Sequence, residues 1–177
     1  MTAQPGLLGL VDGSIEATTR RFQVVLNDDA VAQLCARHPH RAELIAAYPA
    51  RFADSLVGSV GDTVAILREL RETSVRLLAL TNWPAESFRH ARERFDFLAC
   101  FEGIVVSGEE RVAKPDPRIF AVLLERYDLD PAATLFIDDA QRNVAAAQHR
   151  GMHAVRFTTA RELRRVLADV GVLPEGR

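Results

Sequence analysis

From residue 61 onward, short apolar runs rich in leucine and β-branched residues alternate with amphipathic segments, the pattern of an α/β fold on a mostly parallel sheet. Residues 75–81 (VRLLALT) form the first strong strand candidate. A helix over 62–72 precedes it, with Val64, Ile66, Leu67 and Leu70 at helical spacing. Pro84 stands where a first helical position tolerates proline, and a helix to about residue 94 follows. Residues 103–107 (GIVVS) read as a second strand, ahead of a KPDP loop, and Pro117 opens a helix to about 127. Residues 134–137 (TLFI) are a third strand, leading into Asp138, Asp139 and an alanine-rich helix that Gly151 ends. A strand over 153–157 and an amphipathic helix over 160–170 complete the series.

The first 60 residues are less regular. Asp28 or Asp29 caps a short helix to about 37, residues 41–48 form another before Pro49, and residues 7–11 are a brief apolar run that fits a strand. The chain has no internal repeat and no low-complexity tract.

Every polar motif of interest falls at or beyond the C-terminal end of a strand, where open α/β sheets bind their ligands. Three such ends, carrying Thr81 with Asn82, Lys114, and Asp138 with Asp139, are expected to converge. Composition sharpens one of them. Of 22 cationic residues, 21 are arginines and one is a lysine, Lys114, so surface charge is supplied by arginine and the lysine stands apart. It lies in a loop stiffened by Pro115 and Pro117 and offers a compact point charge to a phosphate oxygen.

Thr81 and Asn82 place a hydroxyl and an amide beside the free N–H groups of a helix start, which suits an oxyanion and equally suits a plain strand-end turn with an N-cap. Asp138 and Asp139 suit magnesium, which takes one or two carboxylates with several waters, and equally suit a helix N-terminus that favours negative charge.

The formal charge of −2 and pI of about 6.2 leave no electrostatic footprint for nucleic acid or an anionic membrane, so a small-molecule partner is expected. No apolar run approaches the roughly 18 residues of a membrane span, and no basic residue precedes Arg20, which points to a soluble cytoplasmic protein. Cys35 and Cys100 show no metal-ligand spacing and read as reduced thiols.

In order and spacing, TNWPAESF, VVSGEERVAKPDPRIF and LFIDDAQRNVAAA closely resemble the later motifs of the haloacid dehalogenase superfamily, over residues 61–159. They look like its subgroup of small sugar-phosphate and related phosphatases. The resemblance implies a three-layer, Rossmann-like, mostly parallel core over residues 57–177. Residues 1–56 are then an N-terminal segment holding a truncated helical cap, since 30–48 resembles the end of that subgroup's cap. It further implies that Thr81 and Asn82 contact the phosphate of a small phosphorylated metabolite and that Lys114 neutralises it. Asp139 falls at the family's magnesium-binding aspartate, Asp138 supports it, and Asn143 occupies a position often acidic elsewhere. The acidic pair favours Mg2+-dependent phosphomonoester hydrolysis over haloacid dehalogenation. A receiver-type signalling domain uses similar residues in a different order along the chain and fits poorly.

The family's first motif is a strand followed by Asp-x-Asp, whose first aspartate attacks phosphorus and whose second is the general acid and base. Upstream of Thr81 no Asp-x-Asp occurs. The nearest approximation, GLLGLVDGSI, matches Asp12, Gly13 and Ser14 to the second half of the motif as a remnant of the general acid, or as an ordinary Asp-Gly turn, and puts Leu10 in the nucleophile's place. Leucine cannot attack. In the family that strand lies between the strands ending at Thr81 and Ile137, so residues 7–11 are the candidate substitute. The expectation from sequence is a phosphatase-family chain, N-terminally truncated and inactive, or else a catalytically dead phosphate- or metal-binding module or interaction protein. A sheet left incomplete would favour a homo-oligomer paired through an exposed edge.

Overall fold

The computed structural model describes residues 6–8, 15–17, 28–51, 56–59 and 61–174. Two short strands, β1 (Gly6–Leu8) and β2 (Ile15–Ala17), precede a helical hairpin of α1 (Asp28–Arg37) and α2 (Ala42–Ala50). Strand β3 (Leu56–Ser59) follows and pairs antiparallel with β2. The rest alternates strand and helix: α3 (Gly61–Arg71), β4 (Arg76–Thr81), α4 (Ala85–Arg94), β5 (Gly103–Val106), α5 (Ser107–Glu110), α6 (Pro117–Arg126), β6 (Thr134–Asp138), α7 (Gln141–His149), β7 (His153–Arg156) and α8 (Ala160–Asp169).

The main sheet runs β5-β4-β1-β6-β7, with every pairing parallel. A parallel sheet needs cover on both faces. The alternation of β4 provides it: Leu77 and Ala79 join a cluster with Val64, Leu67 and Leu70 of α3, Phe88 of α4 and Leu163 and Leu167 of α8. Leu78 and Leu80 join a second cluster with Ile119, Phe120 and Leu123 of α6, Phe136 of β6 and Ala147 of α7. The result is three layers with one apolar cluster on each face of the sheet. Two of the α-helix starts are capped by side chains. Asp116 accepts from the Arg118 N–H at 2.9 Å ahead of Pro117, and Thr159 accepts from the Glu162 N–H at 3.1 Å. Gly151, at φ +83°, takes the left-handed turn after α7.

At the centre of the sheet stands β1, with Leu7 beside Leu77 and Leu135, and Leu8 beside Leu78 and Phe136. The slot between the strands ending at Thr81 and Asp138 is therefore filled by this chain's own residues 6–8; residues 9–14, including Leu10, Val11 and Asp12, lie outside the described residues. The sequence pattern did not show the β2–β3 ribbon or the one-turn helix α5. Cys35 and Cys100 are free, half-buried thiols. Among the described residues no helix is long and apolar enough to cross a membrane.

Two outcomes follow from this architecture. A carboxylate introduced into the central strand has apolar layers on both sides, so Leu8→Asp is expected to cost several kcal/mol and to abolish the cooperative melt in circular dichroism. An unchanged melt would remove β1 from the centre. Arg111, exposed and at φ +55°, holds a left-handed conformation that costs a residue with a Cβ about 1 kcal/mol, so Arg111→Gly is expected to raise Tm by about 2–4 °C.

Candidate functional site

The C-terminal ends of β4 and β6 are joined by a buried ion pair. Lys114 Nζ donates to Asp138 Oδ2 at 2.8 Å, and both side chains are essentially inaccessible, at 0% and 1%. Two ions out of water each cost several kcal/mol unless their remaining valences are met. Here they are. Lys114 Nζ also donates to the Leu80 carbonyl at 2.7 Å and stands 5.8 Å from the centre of the Phe136 ring. The other oxygen of Asp138 accepts from the Ala140 N–H and from Asn143 Nδ2, each at 2.9 Å.

Lys114 reaches this position because Asn82 grips its backbone. The Asn82 amide accepts from the Lys114 N–H and donates to the Lys114 carbonyl, both at 2.8 Å, across a peptide that continues as cis to Pro115. One amide hydrogen of Asn82 is left over from this clamp. The turn that presents Asn82 is in turn tied to α5: Ser107 Oγ and the Gly108 N–H both donate to the Trp83 carbonyl, at 3.3 and 3.0 Å. Gly108 is required there, since a Cβ would lie 2.4 Å from the Ala85 nitrogen. Ahead of α6, the Arg118 side chain and backbone hold the Asp116 carboxyl down to about 2, so the cap beside Pro117 stays charged.

Thr81 closes β4 in register with Val106 and is fully buried. Asp139 is half-buried and its carboxylate accepts no hydrogen bond among the described residues, while its carbonyl accepts from Arg156 Nε at 3.0 Å. Asn143 is buried with its Oδ1 unpartnered: its Nδ2 must face Asp138, which fixes the amide orientation and leaves an acceptor over. Thr81, Asn82, Lys114, Asp138, Asp139 and Asn143 thus gather around the ends of β4 and β6. Asp12 is outside the described residues.

For magnesium, these residues offer a partial donor set. Asp138 is spent on three donors and acts as a brace. Asp139 presents an open carboxylate, and the orphaned Asn143 Oδ1 is an acceptor suited to a cation or its water. Among the described residues no cluster of three or more acidic, histidine or cysteine groups is poised for a metal. Residues that the motif reading missed are Ser107, Gly108 and Arg156. Only strand order reveals Arg156, which pairs in register with Asp138 across β6 and β7.

A parallel sheet with its polar groups gathered past the strand ends, a lysine among them and an acidic pair on the last of those ends, is a Rossmann-like α/β core with a candidate ligand site at the carboxyl ends of its strands. The model of the haloacid dehalogenase-like hydrolase family matches residues 10–157, and the chain belongs to that family. It is 36% identical over 107 residues to a sesquiterpene phosphatase of Aspergillus oryzae, covering 58% of this chain and 55% of that protein. It is 33% identical over 97 residues to the human N-acylneuraminate-9-phosphatase, covering 52% of this chain and 38% of that protein. The chain therefore spans about half or less of the length of these curated relatives. In fold it is similar to a haloacid dehalogenase family enzyme of Bacteroides thetaiotaomicron, solved with magnesium and inorganic phosphate, with a TM-score of 0.66 at 22% identity over 89% of this chain and 95% of that one.

The buried pair lends itself to a double-mutant cycle. Lys114→Met and Asp138→Asn are each expected to cost about 3–5 kcal/mol in urea unfolding, because each strands its partner. The double variant is expected to fall short of their sum by about 1–3 kcal/mol. Strict additivity would mean that the two groups do not interact.

Proposed function

We propose that this chain is a phosphatase scaffold that binds a phosphorylated small molecule and magnesium without turning it over. The observation that carries this reading is Leu10. The family match begins at residue 10, and in Leu10-Val11-Asp12-Gly13-Ser14 the position two before the general-acid aspartate holds an alkyl group. Thr81, Lys114 and Asp139 bind and stabilise charge, and none of them is placed to form a covalent phosphoryl intermediate.

In this reading the Thr81 hydroxyl, Asn82 and the N–H groups opening α4 hold phosphate oxygens, and Lys114 supplies the compensating charge. Asp139, braced through Asp138 and its helix turn, holds magnesium with the Asn143 oxygen near its hydration shell. When bound, the metal neutralises phosphate charge. Asp12 is the remnant of the general acid. The curated relatives support the ligand class: they include a phosphorylated carbohydrates phosphatase of Thermotoga maritima as well as the N-acylneuraminate-9-phosphatase.

The alternative, in which a preceding segment supplies strand and nucleophile together, is disfavoured by the sheet. Residues 6–8 already occupy the slot between β4 and β6, and a second strand would have to displace them. What is lacking is a side chain.

Restoring that side chain is the direct test. Calorimetry of the native sequence is expected to show magnesium-assisted binding of inorganic phosphate, with no hydrolysis of a phosphomonoester panel. Leu10→Asp is expected to raise hydrolysis by on the order of 10³-fold over that background, since nucleophile removal elsewhere costs that much or more. Asp12→Ala in the same chain should take the gain away. Magnesium-dependent turnover by the native sequence would sink the proposal.

A further inference from the structure

We propose that the α1–α2 hairpin is a self-association surface, seated against the same hairpin of a second copy of this chain across a two-fold axis. In α2, Glu43 is the one charged residue of nine; the others are Ala, Leu, Ile, Tyr and Pro. A helix apolar around its whole circumference is ordinarily buried around its whole circumference. This one is not. Leu44 is 73% exposed, one of two large hydrophobic side chains exposed among the described residues. Ala46 is exposed as well, and Ile45, Ala47 and Tyr48 are half-buried. On α1, Val31, Leu34 and Cys35 are also half-buried, and the hairpin has no fully buried residue among its described side chains. Tyr48 packs against the main core, so the helix is covered on part of its circumference only; a lone exposed leucine needs no explanation, but so apolar a helix with only partial cover does.

Charge identifies the occupant. The open end of the hairpin begins with Asp28 and Asp29, while its turn carries Arg37, His38, His40 and Arg41. Glu43 and Arg51 offset these in part, leaving one net positive charge at the turn and one net negative charge at the open end with both histidines neutral. Two hairpins packed antiparallel about a two-fold axis place the turn of each against the open end of the other, so both ends are complementary at once. Four helices then enclose α2 in a bundle.

Sedimentation velocity on the full chain tests this. The native sequence is expected to be a dimer at micromolar concentrations. Leu44→Glu is expected to weaken dimerisation by roughly 30-fold or more, as for loss of a central anchor, with the helical circular dichroism unchanged. Arg37→Glu/Arg41→Glu and Asp28→Arg/Asp29→Arg chains are each expected to be monomeric alone and to dimerise when mixed, which also shows that both are folded. A native chain that stays monomeric overturns the proposal and leaves the surface to a different protein or to another part of this chain. A dimer that survives Leu44→Glu also overturns it and assigns association to another face, such as a sheet edge. Failure of the mixed variants to pair overturns the antiparallel arrangement.

Discussion

The Lys114–Asp138 pair is the constraint on which the rest of the site depends. Partners 24 residues apart, and a carbonyl 34 residues from the lysine, meet in a space that water does not reach. Such a pair does little for stability against an apolar substitute of equal volume, yet separating its members is costly. It therefore acts as a gauge of alignment. If the ends of β4 and β6 slip relative to one another, the ammonium loses Leu80 and Asp138 together. Those ends are also where the candidate ligand groups stand, so the alignment of the sheet and the geometry of the candidate site are fixed by the same bonds.

Around the pair lies a ring of supports, of which Asn82 alone is also a candidate ligand contact. Asn82 holds Lys114 by its backbone, Ser107 and Gly108 hold the turn behind Asn82, and Arg156 holds the peptide of Asp139. Each acts on main-chain atoms, whose positions decide where the side chains can reach. A site built this way is preorganised by packing and hydrogen bonds. Its polar groups stay in place whether or not chemistry follows.

The layered α/β core was legible in the sequence because its strands and helices are long enough to show their periods. Leu77 to Leu80 are apolar on both faces, and Ile119, Phe120, Leu123 and Leu124 make a helical stripe. The convergence of Lys114 with Asp138 could be anticipated from strand ends alone. The β2–β3 ribbon could not, because strands of three and four residues carry no usable period and their pairing joins Ile15 to Ser59. Nor could the commitment of Asn82. From sequence its amide reads as a phosphate contact, whereas its engagement with Lys114 depends on a partner 32 residues away. Composition and spacing leave Asp138 and Asp139 alike and the family resemblance gives them different roles; the hydrogen bonds make Asp138 a brace and leave the Asp139 carboxylate open.

That division also bears on the proposed reading in which Leu10 stands in the nucleophile's place. Among the described residues Asp138 balances the buried Lys114 ammonium. On the proposed reading, a carboxylate at position 10 would add a further negative charge to a site already holding Asp138 and Asp139, and that repulsion would be relieved only while phosphate or magnesium was bound. Leucine removes that cost, in line with the general tendency of functional residues to be poor choices for stability. On that reading, position 10 is a place where activity and stability pull in opposite directions. At 114 and 138 they pull the same way, because the charge that would bind ligand also holds the strands in line.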